Sequence, residues 1–269
     1  MISCVFNGRL GNNLFQIANV ISMASRAGTD FIFPKNTWAG HRGWLPIDLA
    51  MFKYQFPQGE FNTSNEYGEK QFHYIPIPYE TNFKVSGFYQ SWKYFDNIKD
   101  ALLNYYFQPS DKVVQSLSKY NISTNSLGIS VRRGDYLMLQ NNHCVLSIDY
   151  YQNAINRYFL DNTDEIYVFS DDINWCRSVF GNDVHYVIDD IGTQLFLMSK
   201  MKNLILSNST FAWWGAYLNQ NSGIVVAPDP WFGPDNANMH TKDLYYPSWI
   251  KQKHTIVFQS YQISENFFN

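Results

Sequence analysis

Charge is scarce in this 269-residue chain: Asp, Glu, Lys and Arg make up 16%, where a soluble domain usually carries about a quarter. Neither sign dominates. A net charge of −3 and a pI near 6.0 supply no basic field, which excludes nucleic acid as the expected partner. Cysteine is also rare. Cys4, Cys144 and Cys176 are far apart, a spacing that fits neither a metal site nor a disulfide framework and suits a reducing compartment. No apolar run approaches the roughly 18 residues of a bilayer span, and the opening MISCVF has no charged leader region. The expected location is therefore cytoplasmic, with any membrane contact peripheral, at the inner face. There is no repeat at a solenoid period and no low-complexity tract.

Aromatic residues, by contrast, are plentiful at 18%. Such a surplus suits sugars, whose C–H faces stack on rings, but equally a partner or membrane interface. The length accommodates one α/β domain or two smaller ones.

Residues 2–6 read as a buried strand, followed by NGRLGNN and a helical pattern over 14–26 closed by Gly28. Strand, glycine loop and helix is how α/β folds hold anions at a helix N-terminus. No GKS or GKT follows, and GRLGNN lacks the third glycine of the dinucleotide fingerprint. A short strand is expected over 31–33. Periodicity then breaks down over 36–78, read as an irregular insertion that serves either as an acceptor-binding region or as a flap over an apolar edge. A strand over 84–89, a helix over 94–107 and another from Ser110 lead to the polar segment 121–126, the linker candidate. Beyond it, strands over 127–131, 166–169, 184–188, 204–206 and 224–227 alternate with helices over 148–160, 173–180, 193–201 and 211–218. That alternation predicts a parallel sheet with right-handed crossovers. The expected organisation is an N-terminal half, 1–120, a C-terminal half, 127–245, and a tail, 246–269.

Ligands of open α/β sheets lie outside the carboxyl ends of the strands. There the chain offers NGRLGNN, then Arg132-Arg133-Gly134-Asp135, Ser170-Asp171-Asp172 and Ser207-Asn208-Ser209-Thr210. The stretch LGISVRRGDY (127–136) is the most telling. Two arginines directly after a short apolar run cannot both be buried cheaply, so at least one guanidinium is delivered to a cleft. Its fork matches phosphate bidentately, and the glycine lets the backbone approach a ligand. Each piece also has an ordinary explanation: a solvated Arg133–Asp135 pair, a helix cap at SDD, another at SNST. Gathered on one rim, they point to the diphosphate of a nucleotide sugar, with a carboxylate left to accept from base or ribose.

These motifs resemble the bacterial α-1,2-fucosyltransferases of glycosyltransferase family eleven, part of a wider superfamily with protein O-fucosyltransferases and α-1,6-fucosyltransferases. The resemblance covers GRLGNNLFQIA at 8–18, GFYQSWKYF at 87–95, VRRGDY at 131–136, the apolar-SDD run at 168–172 and LILSNSTFAWWGAYL at 204–218, with a weaker echo in VVAPDPWF at 225–232. It implies an α/β, GT-B-like fold of two Rossmann-type halves with parallel sheets facing a central cleft, the donor held mainly by the C-terminal half. It implies inverting transfer of fucose from GDP-fucose to a galactose 2-hydroxyl of a surface glycan, with no metal and no other cofactor. The implied partners are the nucleotide-sugar donor and a galactose-containing acceptor, whose lipid-linked form would bring the protein to the membrane.

Carried over by position, Arg132 neutralises the leaving diphosphate, and Asn12 lies beside the fucose–phosphate bond in the loop of Gly8, Arg9 and Gly11. Ser209, Thr210 and Phe211 attend the phosphates, and Asp171 or Asp172 reads guanine. Arg133 and Asp135 brace the donor loop. Asp135 and Asp48 are also candidate general bases, and the departing phosphate is a third. The chain departs from the family twice. Ser130 stands where the HxRRxD pattern has histidine, which bears on guanine recognition and donor identity. Trp92 replaces the acidic residue of QSEKYF, which bears on the acceptor. The alternatives are a same-fold transferase using another nucleotide sugar and a non-catalytic glycan-binding protein.

Overall fold

The computed structural model describes residues 1–35, 49–78, 80–160 and 163–260, so Asp48 and the start of the 36–78 insertion lie outside the described residues. The chain divides into two units. The first comprises Met1–Lys112 with His240–Tyr245; the second comprises Val113–Met239 and the residues from Tyr246 on.

In the first unit, β1 (Ile2–Val5) enters the glycine loop and α1 (Leu10–Ala27), which is buried from Leu10 to Ala24 except at Asn12. β2 (Glu66–Gly68) and β3 (Phe83–Ser86) complete a parallel sheet of order β1-β3-β2. The strand expected over 31–33 is reduced to isolated bridges, Phe31 to Ile2 and Phe33 to Gln58. Pro34 follows directly and has no N–H to continue a ladder. The described part of the insertion is built into the core, with Phe52 against Phe107 at 5.1 Å and Phe56 against Phe33 at 5.9 Å.

The single helix expected over 94–107 is instead a broken series: 3-10 turns at Trp92–Tyr94 and Asp96–Ile98, one α-turn, α2 (Lys99–Ala101), and a π segment, Leu102–Tyr106. The wider π turn lets neighbouring Tyr105 and Tyr106 both pack on Tyr54, at 5.1 and 4.8 Å.

α3 (Asp111–Leu117) carries the boundary between the units. The linker expected at 121–126 therefore falls inside the second unit. Its last residue, Ser126, opens β4 (Ser126–Val131) and is buried, accepting the Lys202 N–H at 3.1 Å. Then come α4 (Ile148–Tyr158), β5 (Glu165–Ser170), α5 (Ile173–Phe180), β6 (His185–Tyr186), α6 (Ile191–Met198), β7 (Asn203–Ile205), α7 (Thr210–Tyr217), β8 (Val225–Asp229) and β9 (Ile250–Lys253). The six strands are parallel throughout, in the order β6-β5-β4-β7-β8-β9.

β9 lies within the expected tail, where residues 250–253 form an edge strand. Its sequence IKQK hides the pattern because the inward position is a glutamine, Gln252, whose amide reaches Tyr150 O at 2.8 Å. β4 is buried along its whole length, as a parallel strand covered on both faces should be. Trp213 and Trp214 on α7 are fully buried, with Trp213 stacked on Tyr217 at 5.0 Å. Much of the aromatic surplus is thus core. No helix among the described residues is long and apolar enough to cross a membrane.

Candidate functional site

The strand order of the second unit locates its site. β4, β5 and β6 run outward in one direction and β7, β8 and β9 in the other, so the sheet's topological switch point lies between β4 and β7. Crevices at such points, outside the carboxyl ends, are where open α/β sheets bind ligands. β4 runs into Arg132 and Arg133, and β7 leads to Ser207–Thr210.

The two arginines have different surroundings. Arg132 keeps 21% of its side-chain surface and is gripped by two carboxylates: Nη1 lies 3.0 Å from Asp171 Oδ2, and Nη2 pairs with Asp135 Oδ1. Its guanidinium lies 5.3 Å from the centre of the Tyr136 ring. Burial works against its charge, but Asp171 and then Asp135 outweigh that and hold it firmly protonated.

Arg133 keeps only 7% of its side-chain surface; Nε donates to Asp172 Oδ2 at 3.1 Å and the guanidinium lies 4.1 Å over Trp175. Its backbone N–H donates to Asp171 Oδ1 at 2.9 Å. Asp172 also caps α5 through the Trp175 N–H at 3.0 Å. Both carboxylates of the SDD run are therefore engaged by the RRGD loop. Gly134 permits this approach, since a Cβ there would collide with Asp171 Oδ2.

At the β7 side, the Ser130 and Ser207 hydroxyls are buried and 3.0 Å apart. Ser209 caps α7 through the Phe211 N–H at 3.2 Å, leaving Thr210 and Phe211 half-buried in its first turn. The Tyr136 hydroxyl donates to Asn208 O at 3.2 Å, tying the arginine loop to the start of this helix. The structure thus gathers Ser130, Arg132, Arg133, Asp135, Asp171, Asp172, Ser209, Thr210 and Phe211 at the carboxyl end of one sheet.

Gly8, Arg9, Gly11 and Asn12 belong to the first unit. Gly8 has φ +79°, and a Cβ there would strike the Asn12 amide. Asn12 Oδ1 accepts from Gln90 Nε2 at 3.0 Å, which fixes its amide. Gln16, fully buried, binds the loop from beneath: Oε1 accepts the Asn7 N–H at 3.2 Å and Nε2 donates to Gly87 O at 2.9 Å.

Two neighbours of the arginine loop escaped the reading of strand ends. His143 stacks on Tyr136, centroids 4.4 Å apart and planes 11° apart, and lies 6.2 Å from Phe232. Burial, chiefly, lowers its pKa; Asp135 raises it and Arg132 lowers it further. Gln259 accepts from Arg133 Nη1. Neither sits in a strand-end motif; His143 had a signal in its place among the few histidines close after RRGDY. The cysteines are inert by environment, all three buried, with burial pushing the Cys144 and Cys176 thiols to about 11.

The family model described as Glycosyl transferase family 11 matches residues 1–253. The chain is 35% identical over 190 residues to the O-antigen biosynthesis glycosyltransferase WbnK of Escherichia coli, covering 64% of this chain and 61% of that protein. It is 35% identical over 167 residues to an Escherichia coli alpha-1,2-colitosyltransferase, covering 56% and 57%. It therefore spans less than two thirds of the length of these two relatives. With galactoside alpha-(1,2)-fucosyltransferase 2 of Hylobates lar it shares 25% identity over 243 residues, covering 82% and 69%.

Among solved structures, fucosyltransferase NodZ from Bradyrhizobium aligns with TM-score 0.54 at 12% identity, covering 80% of this chain and 92% of that one. POFUT1 in complex with GDP aligns at 0.53 and 12% identity, covering 82% and 94%. At such identities the likeness speaks for the fold alone, and the α/β, GT-B-like class expected from the sequence holds. With a family model matched along almost its entire length, the chain belongs to glycosyltransferase family 11.

Proposed function

We propose that the protein is an inverting glycosyltransferase that moves fucose from GDP-fucose to a galactose 2-hydroxyl of a glycan, in surface polysaccharide synthesis, without a metal. The observation that carries this reading is Arg132, held charged between Asp135 and Asp171 at the switch point, on the loop whose Tyr136 hydroxyl donates to Asn208 O just ahead of α7. In a single displacement the anomeric carbon's bond to the diphosphate breaks as its bond to the acceptor oxygen forms. Negative charge grows on the departing diphosphate, and a fixed guanidinium together with a helix N-terminus stabilises it without reorganisation. Ser209 and Thr210 support the phosphates in this reading. Asp171 or Asp172 reads guanine with the lone pairs its arginine partners leave over. The acceptor proton goes to the departing phosphate or to Asp135.

The family match and the galactoside fucosyltransferase relative support fucose and galactose; the colitosyltransferase relative supports a second donor sugar on the same scaffold. The glycan-binding alternative is less favoured, because Trp213, Trp214, Tyr150 and Tyr151 are core rather than surface. The test is incubation with GDP-fucose or a colitosyl donor and a panel of galactosides, with products identified by mass and linkage. An α-1,2-fucosylated galactoside is the expected product. Transfer from the colitosyl donor alone would replace the donor, and oligosaccharide binding with no nucleotide affinity would overturn the enzyme reading.

A further inference from the structure

The family match ends at residue 253, yet the described chain continues to 260 and returns to the arginine loop. His254 anchors this strap to the end of β8, its N–H donating to Asp229 O at 3.1 Å and its Nε2 lying 2.8 Å from Pro230 O. Gln259 then makes a closed set of bonds. Its N–H donates to Gln140 Oε1 at 2.6 Å, and Gln140 Nε2 donates back to Gln259 O at 2.8 Å. Its side-chain Nε2 lies 3.3 Å from both Val145 O and Leu146 O, and its Oε1 accepts from Arg133 Nη1. One amide therefore ties Arg133 to the segment that leads into α4.

The choice of an amide is informative. The loop already sets Asp135, Asp171 and Asp172 against Arg132 and Arg133. A neutral acceptor satisfies the buried Arg133 without adding a fourth carboxylate, which would work against an anionic ligand.

We propose that Gln259 is a positioning residue for the donor-side arginine loop: acting through Arg133, it fixes the backbone from which Arg132 is presented. This rests on the nucleotide-sugar reading above. Its test uses the full chain with Gln259→Met, which keeps side-chain length and removes the side-chain hydrogen bonds. Gln140→Met opens the same clamp from the other side, and Phe258→Ser alters an exposed neighbour as a control. Calorimetric titration with GDP, donor and acceptor KM, and thermal midpoints are measured for each.

Both clamp variants should bind GDP about tenfold more weakly, a size typical of residues coupled in one network. Donor KM should rise in parallel, acceptor KM should stay unchanged, and Phe258→Ser should behave as wild type. In an Arg133→Lys background, Gln259→Met should add little further loss, because its route is already broken. A lowered thermal midpoint with GDP affinity intact would make the strap purely structural and overturn the proposal, as would full additivity with Arg133→Lys. Failure of the wild-type protein to bind GDP would instead overturn the donor reading, a result distinct from either.

Discussion

Arg132 and Asp171 form an ion pair, Nη1 to Oδ2 3.0 Å, between the ends of the adjacent strands β4 and β5. Because Asp135 holds the other Nη, the guanidinium plane is set before any ligand arrives. Arg132→Ala should lower transfer by roughly 10²–10³-fold, the usual loss of one preorganised charge-stabilising group, while the circular dichroism spectrum and thermal midpoint stay close to wild type. Arg132→Lys should recover little, since a point ammonium cannot span two carboxylates as a planar fork does. Steady-state kinetics decide the matter; wild-type turnover in Arg132→Ala would remove its diphosphate role.

Gly134 offers an indirect way to break the same pair. A Cβ there would occupy the space of Asp171 Oδ2, so Gly134→Ala must push that carboxylate away from both Arg132 and the Arg133 N–H. A stability cost of about 1–3 kcal/mol is expected from the overpacking, together with a higher donor KM. Denaturant unfolding and donor titration measure the two effects. An alanine variant with both unchanged would show that the loop absorbs the methyl group without moving Asp171.

Ser130, the departure from the family's histidine, meets the Ser207 hydroxyl at 3.0 Å in a buried position. Restoring histidine there would force a ring into space now filled by two small hydroxyls. Ser130→His should therefore destabilise the protein by about 1–3 kcal/mol and bring no gain in GDP affinity. Tighter GDP binding in Ser130→His at unchanged stability would show that the pocket still accommodates the family residue.

Some of this was readable in the sequence because it depends on short-range pattern. The alternation of strands and helices after residue 126, and the collection of RRGD, SDD and SNST at strand ends, follow from periodicity and from where parallel strands stop. What was not readable depends on strand order. Asp171 becomes the partner of Arg132 because β5 lies directly beside β4 in the sheet, and no local spacing encodes that adjacency. β9 was concealed by its lysines and by a glutamine in the inward position. In place of the helix expected over 94–107 the chain makes short 3-10 and α-turns and then a π segment, in which Tyr105 and Tyr106 both pack on Tyr54. Gln259 lies far along the chain from Arg133, and its contact depends on the path of the strap after β9.

The engagement of Asp171 and Asp172 also bears on metals. Aspartates of this kind are often read as a divalent-cation site, but here Asp171 accepts from Arg132 and the Arg133 N–H, and Asp172 from Arg133 and the Trp175 N–H. Binding a cation would mean giving up those bonds. The transfer rate should therefore be unchanged by EDTA and should not rise on addition of Mg²⁺ or Mn²⁺. A rate lost to chelation and restored by one of these ions would show that the pairs open to admit metal.

His143 gives the site a pH signature whose sign follows from its surroundings. Stacked on Tyr136 and largely buried, it has a pKa below its ordinary value of 6.5, chiefly because burial disfavours the charged ring. As pH falls, the unfolded chain takes up the proton before the folded one does. The stability associated with the neutral ring is therefore fully present above the unfolded pKa and is lost as pH drops through the lowered folded value. His143→Gln removes this term. Thermal midpoints of wild type and His143→Gln, compared from about pH 8 to about pH 5, should run parallel above roughly pH 6.5 and diverge below it. The wild type should fall more steeply on the acid side. Curves that remain parallel over the whole range would show that His143 titrates alike in the folded and unfolded chain.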